Sequence, residues 1–149
     1  MANVSGKAAI VGLGMTEMTR EYTKSASGLA AEAIKIAIED AGLIKEDIDG
    51  LLINAGVAQG VSTNLQRVLG MRDMKLVNHM NAQGSTAGQM VQFASLAIDA
   101  GLANAVVCVF ADDPLKPGTS AGAAYGSAPR GPISLRGMGV SYGFFGANT

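Results

Sequence analysis

The chain has 149 residues, nearly half of them apolar, with 11 basic and 12 acidic side chains and a formal net charge of −1. That length suits one domain with a sizeable core, and without a basic cluster to neutralise phosphates nucleic acid is excluded as an expected partner. A single cysteine excludes an internal disulfide, and the opening residues lack a signal-peptide pattern, so the expected location is cytoplasmic.

Lys7 to Leu13 is a mostly apolar run, which predicts a strand buried on both faces of a parallel sheet. Gly12-Leu13-Gly14 follows it, but Glu17 stands where a dinucleotide fingerprint needs its third glycine, so a plain strand-end turn is expected. After a polar loop, Ser25 or Ser27 can cap a helix over about Gly28 to Ala41. Ala30, Ala33, Ile34, Ala37, Ile38 and Ala41 form its apolar stripe, and Gly42 its stop.

Leu43 to Gly50 reads as a polar connector, Leu51 to Ala55 as the second strand, and Thr63–Leu69 as a short helix ended by Gly70. Lys75 to Met80 predicts the third strand. It runs into Gln83-Gly84-Ser85-Thr86-Ala87-Gly88, a small-residue turn that opens a helix reaching about Ala100, uncharged from Gln83 to Ile98. That helix contains Gln83, Ser85, Gln89 and Gln92, so a buried helix is expected and no membrane span. Ala105 to Phe110 predicts the fourth strand. Ala-Ile-Glu-Asp-Ala-Gly-Leu at 37–43 and Ala-Ile-Asp-Ala-Gly-Leu at 97–102 predict one helix-stop device used twice. Residues 1–113 are therefore read as an α/β domain, and 114–149, with all four prolines, as a Gly/Pro-rich loop segment that ends as if truncated.

Strand, tight turn and buried helix together make an elbow. The first N–H groups of a helix lack internal partners, and with the helix dipole they stabilise negative charge beside the turn. A G-x-S-x-G hydrolase motif would centre on serine, but Thr86 stands at the centre. The sole histidine, His79, precedes the turn and reads as a structural group, a general base or a substrate hydrogen-bonding group. One histidine and a remote cysteine make no metal site. Asp112 and Asp113 follow a strand end and read as a solvated turn, while Cys108 reads as an inert packed thiol among valines.

Three stretches together resemble the thiolase superfamily, in particular the sterol-carrier-type thiolases and their aldolase-like relatives. They are Gly-Lys-Ala-Ala-Ile-Val-Gly-Leu-Gly-Met-Thr-Glu at 6–17, the segment from Leu29 to Leu52, and the elbow followed by Ala-Ser-Leu-Ala-Ile-Asp-Ala-Gly at 94–101. The resemblance spans about residues 6–113 and implies half of an αβα layered sandwich with a mainly parallel mixed sheet, usually dimeric. It implies acyltransferase or retro-aldolase chemistry on acyl-CoA thioesters, with the thioester as substrate and no tightly bound cofactor. Counted back from Gly101, the family's nucleophile position falls at Gly84 or Ser85, neither of which forms a thioester. The site residues so implied are Ser85, Gly84 and His79 as catalytic candidates, with Asn81, Gln83 and Thr86 on the thioester side.

Two readings follow. In the first, the chain is an acyl-CoA-handling piece, inactive alone because the family's proton-handling groups belong to the other half. In the second, it is a non-catalytic acyl-CoA-binding or assembly subunit that completes a site with a partner chain. A stand-alone serine or threonine hydrolase is a third, which would need turnover dependent on Ser85 or Thr86.

Overall fold

A computed structural model of the chain describes residues 5–19, 21–115 and 117–119. Three parallel strands form one sheet in the order β2-β1-β3, where β1 is Gly50–Asn54, β2 Leu76–His79 and β3 Val106–Phe110. Helices α1 (Ala26–Asp40) and α2 (Leu65–Val68) cover one face, and α3 (Thr86–Asp99) covers the other. The expected α/β layered fold is the one observed, with helices on both faces of the sheet. The expected segment 114–149 lies outside the described residues apart from 114, 115 and 117–119.

Alternation along β1 divides the core. Leu51 and Ile53 join Ala30, Ile34 and Ile38 of α1, whereas Leu52 packs on Met90 and Ala94 of α3. Ser25, not Ser27, caps α1, its hydroxyl accepting from Gly28 N at 3.3 Å. Both long helices stop as their shared wording predicts. Gly42 and Gly101 adopt φ of 68° and 70°, and Leu43 N and Leu102 N reach back to Ile38 O and Ala97 O.

The N-terminal expectation needs correction. Lys7 to Leu13 is no strand: among the described residues no strand pairs with it, and Ile10, Val11 and Leu13 are 79%, 63% and 77% exposed. It lies instead along α1, where a Cβ on Gly12 or Gly14 would strike the carbonyl of Ala37 or Ala33. Leu13 N donates to Asp40 Oδ2 at 2.9 Å, and Lys7 pairs with Asp99 at 3.5 Å. The two glycines therefore serve close packing on a helix rather than a strand-end turn. An apolar run marks a wish for burial, but a ladder needs a neighbouring strand.

Asp49 falls in the expected polar connector, yet it is 8% exposed. Its carboxylate accepts from Asn104 N (2.7 Å), Asn104 Nδ2 (2.8 Å), Ala105 N (3.0 Å) and Lys75 Nζ (3.0 Å), joining the entries to all three strands. Burial alone would raise its pKa. The hydrogen bonds from Ala105, Asn104 and Lys75 outweigh that and hold the carboxyl well below the usual range.

Candidate functional site

The elbow forms at the C-terminal end of the sheet, where ligands of open α/β sheets gather. β2 ends at His79, and Met80 N donates to Ile53 O at 2.8 Å. A 3-10 turn over Gln83–Ser85 then leads directly into α3. Gln83 holds φ at 57°, a left-handed conformation uncommon for a residue with a side chain.

Side chains of the turn lock it from within. Thr86, 5% exposed, accepts from Ala82 N at 2.9 Å and donates to Gln83 O at 2.7 Å. Asn81 Oδ1 accepts from Gln83 N at 3.1 Å. Ser85 Oγ donates to Ala82 O at 2.8 Å and accepts from Gln89 Nε2 at 3.3 Å. A Cβ built on Gly84 or Gly88 would meet nothing within 4 Å, so the outer side of the corner is open.

The structure thus gathers Asn81, Gln83, Gly84, Ser85 and Thr86 at the start of α3. His79 stands apart from them. It pairs in register with Ile53, whose side chain lies in the α1-side core, so the imidazole projects from the face opposite α3. Ser85 has no imidazole or carboxylate among its hydrogen-bond partners, its proton being committed to a backbone carbonyl. A Ser–His relay has no geometric basis here.

Two residues that the sequence reading did not assign to the site border this end of the sheet. Asp112, expected as a solvated turn, accepts from Val57 N (2.7 Å), Ala58 N (3.0 Å) and Asp113 N (3.0 Å), holding the loop after β1. Gly56, at φ 62°, makes room for it: a Cβ there would strike the Asp112 carboxylate. The other is Asn54, which donates from Nδ2 to Met80 O at 2.8 Å. The only signal for either was a polar residue closing an apolar strand, a weak one.

Cys108 sits on β3 in register with Leu52, on the α3 side of the sheet. Solvent reaches part of the residue, but burial pushes the thiol up to about 11, so it stays protonated at neutral pH. A hollow of about 400 Å³, lined in part by Lys45, Met71 and Arg72, lies at the opposite end of the sheet. Among the described residues, no helix is long and apolar enough to cross a membrane.

No family model matches the chain. It is 36% identical over 109 residues to a steroid side-chain-cleaving aldolase of Thermomonospora curvata, covering 72% of this chain and 27% of that protein. It is 35% identical over 104 residues to the 17-hydroxy-3-oxo-4-pregnene-20-carboxyl-CoA lyase of Mycobacterium tuberculosis, covering 70% and 27%. The chain therefore spans about a quarter of the length of these relatives. Among solved structures it matches an Ltp2-ChsH2(DUF35) aldolase with a TM-score of 0.65 at 32% identity, covering 79% of this chain and 31% of the other. A 3-oxoacyl-[acyl-carrier-protein] synthase III from Aquifex aeolicus matches with a TM-score of 0.56 at 20% identity, covering 68% and 34%. That last likeness speaks to the fold.

Proposed function

We propose that this chain is the thioester-holding part of an aldolase or lyase that acts on acyl-CoA, with the turn from Asn81 to Thr86 as its carbonyl corner. One observation carries the reading: an open, internally hydrogen-bonded helix start, anchored by the buried Thr86, at the C-terminal end of a parallel sheet, in a chain similar to aldolases and a carboxyl-CoA lyase. In a retro-aldol cleavage the carbinol hydroxyl loses its proton and the C–C bond breaks. The electron pair moves onto the thioester, whose oxygen gains charge. The positive end of α3 favours charge at that place.

Within this reading the acyl-CoA is substrate and no tightly held cofactor is required. Gly84 supplies the open approach, Ser85 stands at the place the resemblance gives to a nucleophile, and Asn81, Gln83 and Thr86 shape the thioester side. Proton transfer falls to groups outside the described residues, because His79 projects from the other face of the sheet. The piece is accordingly inactive alone. Titration of the chain with acetyl-CoA is expected to give saturable binding with no cleavage of a β-hydroxyacyl-CoA. Turnover by the purified chain would overturn the inactivity, and no acetyl-CoA binding at millimolar ligand would overturn the site.

The second reading, an assembly subunit completed by a partner, is favoured by the solved aldolase whose name joins two components. The sheet edges suit it as well: among the described residues β2 and β3 each pair only with β1, and an edge of this kind invites another strand. Strand β2, Leu76–His79, carries no Lys, Arg, Asp or Glu to discourage pairing with a second copy. Sedimentation across micromolar concentrations is expected to report a two-chain mass, and a single-chain mass throughout would remove the homodimer from this reading.

A further inference from the structure

The end of β1 departs from the rest of the strand. Leu51, Leu52 and Ile53 are fully buried aliphatic residues, and Ala55 beyond them is buried too. Asn54 sits among them at 8% exposure. Its Nδ2 donates to Met80 O at 2.8 Å, and its own carbonyl accepts from Ala111 N at 3.3 Å. Among the described residues no donor reaches its Oδ1. A buried acceptor without a donor weakens a fold, and the single bond to Met80 O offsets only part of that cost. A residue that breaks the local pattern of its strand is expected at a working site.

Met80 O is the last backbone carbonyl before the turn. We infer that Asn54 is a positioning residue: its amide fixes the Met80 carbonyl and so sets where Asn81, Gln83 and Thr86 stand at the start of α3. The inference rests on reading that turn as the acyl-CoA corner. The requirement is for a donor. A carboxylate at this position would face the Met80 carbonyl with lone pairs and repel it, whereas a protonated carboxyl would donate as the amide does. A buried carboxyl is pushed towards its neutral form, so an aspartate variant would recover the contact on acidification.

The experiment compares Asn54→Leu and Asn54→Asp with the unaltered chain, using melting temperature, amide-exchange protection factors at Ala82 and Ser85, and acetyl-CoA titration. Leucine is expected to change the melting temperature little, its apolar burial offsetting the bond lost at Met80 O. It should also speed exchange at the two turn amides about tenfold and weaken acetyl-CoA about tenfold. Aspartate is expected to lose turn protection at pH 8 and regain it near pH 5, while the unaltered chain stays flat. His79, in register with Ile53 on β2, and Asp112, two residues beyond Phe110, the β3 partner of Asn54, are common to all three chains. A leucine variant that melts lower with unchanged turn exchange would overturn the assignment, as would an aspartate variant without acid recovery. If the unaltered chain fails to bind acetyl-CoA, the proposed function falls, and the exchange measurements still decide the role of Asn54.

Discussion

Asp49→Ala is expected to lower the stability of the fold by about 3 kcal/mol, a large share of what a domain of this size has. The carboxylate accepts four hydrogen bonds at the sheet's N-terminal end. Its removal strands the amides of Asn104 and Ala105. The Lys75 contribution is small, since that side chain is 56% exposed. Thermal melting should fall by on the order of 10 °C. The pH dependence has a defined sign. The folded pKa is depressed, so the contribution is complete above the ordinary carboxylate value, about 4, and is lost as pH falls through the folded value. The gap in melting temperature between unaltered chain and variant should therefore hold from pH 8 to pH 5 and narrow below about pH 4. A gap that stays constant down to pH 2 would show that Asp49 is not the anchor described.

Thr86→Val is expected to strike the site more than the fold. Valine keeps the volume and branching but loses both bonds of the buried hydroxyl, to Ala82 N and Gln83 O. The stability loss should be about 1–2 kcal/mol, the range of a lost helix cap. The larger consequence is for acetyl-CoA affinity, expected to fall at least tenfold, because Gln83 then loses the bond that helps hold its left-handed backbone. Thr86→Ser keeps the hydroxyl and should restore most of the affinity. Equal affinities for the valine and serine variants would remove the hydroxyl from the account of the site.

Thr86 and His79 illustrate how much of the site could be read before the fold was known. Thr86 lies in a contiguous turn, so neighbours in sequence are neighbours in space, and the elbow followed from strand, small residues and helix in succession. His79 lies one residue before Met80, yet it faces the other side of the sheet, because alternate strand residues point oppositely. Which face receives α3 is set by burial of Leu52 against Met90, a contact between residues far apart in the chain. Asp112 and Asn54 escaped for the same reason: each acts on a loop that another strand brings to it.

Residues close in the chain were enough to specify α1, the matching stops at Gly42 and Gly101, the apolar β1 and the corner before α3. Each rests on helix or strand periodicity, or on a backbone conformation that glycine tolerates. Long-range packing alone settled the burial of Asp49, the lodging of Gly12 and Gly14 against α1, and the placement of Lys7 to Leu13 outside the sheet. Whether a polar group is buried, or an apolar run becomes a strand, depends on what stands beside it. That neighbour is chosen by the fold as a whole.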